Sequence, residues 1–320
     1  MKTAVVCGSG FIGTHLVRRL KQDGYFVRAL SRSPHNRPHS GFDYSDEYWC
    51  CDLRQPQPQF FEGVDFVYQM ACEVGGLGYI TDRDNDADML RNSTQIDLAV
   101  LEACRFAKPV PKIFFASSAC VYPAGKAAFA EEDAFPAQPS NAFAWQKLFA
   151  ETLYRSYARK YDMDIRIGRL FNCYGKGMTW EGGREKVVAA LCRKVAMADW
   201  RHDTVEVWGD GDQRRSFTHV DDAVEGICRL MAADYVAPLN IGPAASVSIS
   251  DLYRTICAVA QKPVPFKYVK GPVGVPSICC DTTRLRQVLD WAPQITVAEG
   301  LKTTYPWVEQ KVLAKQAMIA

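Results

Sequence analysis

Short apolar runs and amphipathic stretches alternate from the first residues onward. Lys2-Thr3-Ala4-Val5-Val6-Cys7 reads as a buried strand, His15-Leu16-Val17-Arg18-Arg19-Leu20 as an amphipathic helix, and Tyr25-Phe26-Val27-Arg28-Ala29-Leu30 as a second strand. Tyr48-Trp49-Cys50-Cys51 and residues 65–71 continue the series as third and fourth strands. The spacing then predicts a long helix over about 87–106 and a fifth strand at Lys112-Ile113-Phe114-Phe115-Ala116. A helix over 141–161, capped by Ser140 or Asn141, and a sixth strand over 165–170 follow. Strands separated by helices predict an α/β fold built on a Rossmann-type doubly wound parallel sheet. Beyond residue 170 the rhythm breaks. A helix over 185–198, strands over 205–208 and 216–220, a helix from Asp221, and shorter helices near 250–260, 282–289 and 298–311 are expected there. The chain thus divides into a sheet domain at 1–170 and a smaller α/β domain at 171–320, with some segments interleaved and a cleft between them.

Composition works here by exclusion. With 23% charged residues, a net charge of +2 and no long basic run, nothing points to nucleic acid or a membrane surface. No apolar run is long enough for a membrane span, and the chain opens on a strand rather than a leader-like segment, which reads as cytoplasmic. The 12 cysteines include the adjacent pairs Cys50-Cys51 and Cys279-Cys280 but no CxxC, and the five histidines show no ligand spacing with them. They read as reduced thiols, and no metal site is expected.

The first motif is Gly8-Ser9-Gly10-Phe11-Ile12-Gly13, set between a strand and a helix. In that setting the glycines let backbone approach a pyrophosphate while the helix N-terminus offers free N–H groups, so the first domain reads as dinucleotide-binding. The second strand ends in Ser31-Arg32-Ser33 where an acidic residue would hold a ribose hydroxyl. A hydroxyl and a guanidinium suit a 2′-phosphate, so NADP is expected, with NAD the alternative. Asp52 and Leu53 are placed to meet the adenine, and Ala71 ends the fourth strand at the same sheet edge.

The reactive stretch is Ser117-Ser118-Ala119-Cys120-Val121-Tyr122-Pro123, at the carboxyl end of the fifth strand, where open α/β sheets bind ligands. A lone cysteine there would ordinarily be a packing thiol. Phe143 and Lys147, four apart on one helix, the glycine-rich Glu73-Val74-Gly75-Gly76-Leu77-Gly78, and Gly182-Gly183-Arg184-Glu185-Lys186 make a site the stronger reading.

Together these stretches resemble the extended short-chain dehydrogenase/reductase family and, within it, the GDP-mannose 3,5-epimerase group. The likeness rests on Gly75 to Gly78, Ser117 to Pro123, Thr179 to Lys186, Cys192-Arg193-Lys194, and Trp208 to Phe217. The resemblance implies a second domain that binds a nucleotide sugar, GDP-linked and manno-configured, and a homodimer pairing the helices near 87–106 and 141–161. It implies C4 oxidation by bound NAD(P), with Cys120 and Lys186 moving protons at C3 and C5 and Ser118 and Lys147 at the catalytic centre. It assigns Glu73, Gly75, Gly76, Ser118, Asn172, Lys186, Lys194, Gln213 and Arg215 to the substrate. Lys186 and Lys194, eight apart, are expected on one helix face.

Three departures from the family pattern stand out. Cys7 replaces the first cradle glycine, and no arginine occurs over Gly274 to Asp281, where relatives clamp the diphosphate. Phe143 occupies the position of the proton-carrying tyrosine beside Lys147. That leaves an engineered exchange, another base (Tyr122 or Ser118), or a non-catalytic sugar-nucleotide binder. A ketoreductase or dehydratase on a similar substrate is the neighbouring chemistry.

Overall fold

A computed structural model describes residues 1–32 and 44–319. Ser33 and most of the polar stretch after it lie outside the described residues. In chain order the elements are β1 (Thr3–Cys7), α1 (Phe11–Gln22), β2 (Phe26–Ser31), β3 (Glu47–Cys50), β4 (Phe66–Gln69), α2 (Leu77–Ile80), α3 (Asp86–Phe106), β5 (Lys112–Ser118), α4 (Ala142–Tyr161) and β6 (Ile165–Leu170). They continue with α5 (Val187–Met197), β7 (Val205–Trp208), β8 (Arg214–Arg215), α6 (Val220–Ala232), β9 (Leu239–Ile241), β10 (Val247–Ser248), α7 (Ile249–Ala260), β11 (Phe266–Val269), β12 (Ser277–Ile278), α8 (Thr283–Leu289) and α9 (Val297–Ile319).

Seven strands form one parallel sheet in the order β3-β2-β1-β4-β5-β6-β9. The chain winds outward from β1 in both directions, which is the doubly wound arrangement expected from the strand–helix rhythm. Side-chain alternation then decides which helices cover which face. Ala4 and Val6 of β1 join Leu16, Leu20 and Ile227 in the core beneath α1 and α6. Val5 and Cys7 join Val100, Leu101 and Tyr154 in the core beneath α3 and α4. Both faces are covered, so Ala4 to Cys7 of β1 are buried and read as a continuous apolar run. A third core gathers α5, α7, α9 and the small β11–β7 sheet.

Cap chemistry sets one boundary that matters below. Asn141 rather than Ser140 caps α4, its side chain accepting the Ala144 N–H at 3.0 Å.

The irregular half differs from the sequence reading in several places. Residues 216–220 form no strand: Arg214–Arg215 pairs between β10 and β12, and beyond it His219 makes an isolated bridge to Tyr174. Ser216 and Thr218 are fully buried and bond as single groups, the Thr218 hydroxyl donating to the Phe171 carbonyl at 2.6 Å. The glycine-rich stretch after β4 is not all loop, since Leu77–Ile80 closes into a helical turn. Leu239–Ile241 returns to the large sheet as its last strand, and α9 runs on past 311 to Ile319.

Candidate active site

All the candidate chemistry collects at the carboxyl edge of the sheet. The turn after β1 is shaped by contacts that only glycine permits. Gly8 has φ +92°, and a Cβ there would lie 2.8 Å from Ala71. A Cβ on Gly13 would lie 2.1 Å from the Gly8 carbonyl oxygen, so the first turn of α1 packs directly on the loop. Gly10, by contrast, faces open space. Among the described residues no side chain caps α1, and no acidic residue sits in its first turn, so its N-terminal N–H groups and positive dipole end suit an anionic ligand. The buried Ser9 hydroxyl also has no partner among the described residues. A neutral cradle with spare donors fits a dinucleotide pyrophosphate.

This cradle forms one end of a cavity of about 400 Å³. Gly8, Gly10, Phe11, Ile12 and Gly13 line it, with Ser31, Arg32, Leu53, Ala71 and Lys147 on its other walls. Asp52 does not join them. Its carboxylate pairs with Arg54 at 2.5 Å and faces a separate surface recess, so the end of β3 turns Leu53 inward and Asp52 outward.

A second cavity of about 700 Å³ adjoins the first. Gly75, Ser118, Phe143, Cys173 and Lys186 line both, and they form the seam between them. Cys120 lies on the second cavity's wall, where the Ser118 hydroxyl accepts the Cys120 N–H at 3.2 Å and fixes the turn. Lys147 is buried one helical turn after Phe143. Its ammonium donates to the Ala116 carbonyl at 2.9 Å and sits 5.9 Å from the Phe143 ring centre. Phe143 itself is 6% exposed, in an apolar cluster with Ile80 and Met89.

Tyr122 is not available as a replacement base. It is 1% exposed, its hydroxyl donates to Asn240 at 2.5 Å and accepts from Arg169 at 2.9 Å, and burial pushes its phenol up. Arg169 in turn pairs with the buried Glu151 at 2.7 Å, and Glu151 accepts the Ser117 hydroxyl at 2.5 Å. This network braces the Cys120 turn from behind.

The second cavity is rich in cations. Lys186, Lys194 and Arg215 line it, and among the described residues none of the three has a carboxylate partner. The Lys194 ammonium donates to the Glu206 carbonyl at 2.6 Å, and burial lowers its pKa. Arg215 donates to the carbonyls of Val275 at 2.7 Å and Arg214 at 2.8 Å, with burial again the main influence lowering its pKa. Gln213 lines the same wall, held by Asp210 at 2.8 Å, and Asn172 adopts φ +37° while donating to the Ser216 carbonyl at 2.9 Å. A cavity with three cations outside any carboxylate ion pair attracts an anion such as a diphosphate.

Several assignments change. Lys186 is not on α5 with Lys194; it is the extended N-cap residue, φ −82° and ψ 164°. Glu73 lines neither cavity, because its carboxylate is held by Arg184 at 2.6 Å and Tyr79 at 3.1 Å. Gly76 lines neither as well: a Cβ there would lie 2.0 Å from the Glu185 carbonyl oxygen, so it is a packing position. Among the lining residues that escaped the sequence reading, Cys173 and Arg184 carry chemistry. Cys173 has its thiol pushed up to about 11 by burial, with Lys186 pulling the other way. Its position just past β6 was the available signal. Arg184 sits inside a motif already singled out, but only its ion pair gives it a place.

Against known proteins, the model of the NAD dependent epimerase/dehydratase family matches residues 4–242. The chain is 37% identical to GDP-mannose 3,5-epimerase of Arabidopsis thaliana, over 99% of this chain and 84% of that one. It is 29% identical to dTDP-4-dehydro-6-deoxy-D-allose reductase of Streptomyces bikiniensis, over 96% of each. Among solved structures, UDP-glucose 4-epimerase of Thermotoga maritima with UDP-glucose superposes with a TM-score of 0.85 at 20% identity, covering 97% of this chain and 99% of that one. UDP-glucuronic acid 4-epimerase of Bacillus cereus, in complex with UDP-glucuronic acid and NAD, superposes at 0.83 with 22% identity, covering 97% and 99%. Among the described residues, no helix is long and apolar enough to cross a membrane, and no cluster of His, Cys, Asp and Glu could hold a metal.

Proposed function

Because the chain belongs to the NAD dependent epimerase/dehydratase family, we propose that it is a nucleotide-sugar epimerase acting at C3, C5 or both through a transient C4 ketone. The observation that carries this is the seam: a neutral dinucleotide cradle and a cation-lined cavity share Ser118, Phe143 and Lys186 on one wall. The likeness to GDP-mannose 3,5-epimerase supports a GDP-linked, manno-configured sugar. Ser31 and Arg32, with Asp52 turned away, favour NADP over NAD in the cradle.

A nicotinamide bound there supplies reversible hydride acceptance at C4. Lys147 holds the ribose and its fixed positive charge favours loss of the C4 hydroxyl proton. With no phenol at residue 143, Ser118 is the hydroxyl on the seam and takes that proton's path. A C4 ketone acidifies the hydrogens on the carbons flanking it, and Cys120 and Lys186 remove and return them. Lys194, Gln213 and Arg215 hold the diphosphate, in place of the arginine missing between Gly274 and Asp281. A homodimer through α3 and α4 fits their exposed apolar residues, Leu98 on α3 and Trp145 and Phe149 on α4.

Incubation of GDP-mannose with the protein in D2O tests the proposal. Deuterium at C3 or C5 with no net NADPH consumption is the expected result, and Lys186→Met should cut it by about 10²–10⁴-fold. Stoichiometric NADPH consumption with a GDP-4-keto sugar, without deuterium exchange into GDP-mannose, would make the protein a ketoreductase. Tight GDP-sugar binding without exchange would make it a binder.

A further inference from the structure

The arginines on the rims of the cofactor cavity meet on one enclosed carboxylate. Gly182 and Gly183, at φ +91° and +81° with nothing within 4 Å of a Cβ on either, form a free-standing turn. Arg184 follows and reaches back to the segment after β4. Its guanidinium donates to the Glu73 carboxylate at 2.6 Å and to the Tyr79 hydroxyl at 2.9 Å, and lies 4.1 Å over the Tyr79 ring. Its carbonyl accepts the Gly76 N–H at 2.9 Å. From the opposite rim, Arg32 approaches the other Glu73 oxygen at 3.5 Å. Arg32 and Arg184 both line the cavity and are about half exposed, whereas Glu73 is 7% exposed and fixed at its own N–H by Ser93 at 3.0 Å. Burial pushes Glu73 up, but Arg184, Tyr79 and Arg32 outweigh it and hold the carboxyl below its usual range. It is therefore ionised at neutral pH.

One buried anion thus joins two cations drawn from segments about 150 residues apart, across the mouth of a cavity. A redox-neutral epimerisation returns its hydride in every cycle, so an enzyme of that kind gains by keeping its cofactor.

We propose that Glu73 is the clasp of a lid formed by residues 182–186, which it closes by binding Arg184 and Arg32 together, so that dinucleotide release is slow and Lys186 is held at the seam. This rests on the reading of the smaller cavity as the dinucleotide site. Glu73 is a positioning residue in this account. Without its charge the two arginines repel, the Gly182-Gly183 turn lets the segment swing, and Lys186, two residues along, loses its fixed place.

The test uses the full chain, loaded with NADP or NAD, with release followed by stopped-flow fluorescence. Glu73→Gln and Arg184→Gln should each speed release by about tenfold or more, the effect of losing a charge-assisted hydrogen bond. The double variant should be no faster than either single one, because both remove the same link. With NAD, which lacks the 2′-phosphate, raising the salt concentration should speed release from the wild type more than from Glu73→Gln. In the cofactor-free protein, the Gly76 amide should exchange with deuterium faster in both variants. Tight binding with release rates within about twofold of wild type, or effects that add, would overturn the clasp and leave the cavity reading intact. Failure of the wild type to bind either dinucleotide would overturn both. Should Glu73→Gln not fold, Arg184→Gln decides alone, since its side chain is half exposed.

Discussion

The two cavities that meet at Lys186 are built on opposite principles. The proposed dinucleotide cradle is neutral and made of backbone: glycines in contact with one another and with Ala71, and a helix end with no side-chain cap among the described residues. The cavity proposed for the sugar is charged and made of side chains, with Lys194, Gln213 and Arg215 carried on α5, an irregular turn and a two-residue strand. Backbone recognition is fixed by packing and tolerates little change. Side-chain recognition can be rewritten one residue at a time.

The largest test of the comparison falls on the seam. Phe143→Tyr puts a phenol one turn from the Lys147 ammonium, on the face that already meets both cavities. Turnover of GDP-mannose should rise by about 10²–10⁴-fold, measured as deuterium exchange. No change, together with brisk turnover by the Phe143 protein, would mean that Ser118 suffices as proton carrier.

A smaller effect separates packing from recognition within the cradle. Gly13→Ala forces a methyl to within 2.1 Å of a backbone oxygen and should cost about 1–3 kcal/mol of stability along with dinucleotide binding. Gly10→Ala meets open space in the protein and should leave stability within about 0.5 kcal/mol while weakening dinucleotide binding. Thermal melts set beside binding titrations check the pair. Equal loss of stability in both variants would show that the cradle is packed for folding rather than shaped around a ligand.

The smallest effect concerns Arg32, which already shares Glu73 with Arg184. Arg32→Ala should lower the NADP-to-NAD affinity ratio by about five- to tenfold in calorimetry. The ratio matters more than either affinity, because loss of the clasp speeds release of both dinucleotides alike. A preference for NAD that survives the substitution ends the NADP reading.

What the sequence determined by itself is what depends on short periods. Short apolar runs and a 3.6-residue repeat marked the strands and helices of the sheet, and with them the carboxyl edge where Gly8 to Gly13 and Ser117 to Pro123 had to lie. Helical spacing put Phe143 and Lys147 on one face without any fold. Tertiary structure decided the rest, because nothing local encodes it. Asp52 and Leu53 are neighbours in the chain, yet only packing at the end of β3 turns one out and the other in. Tyr122 looked like a free phenol until Arg169 and Asn240, 47 and 118 residues away, claimed its hydroxyl. Residues 216–220 have a strand's composition but make only scattered backbone pairs, with His219 bridging Tyr174 singly, and Glu73 found its partner in Arg184, 111 residues along the chain. Charge pairs at such separations leave no periodic trace, so they become visible only when the fold closes the distance.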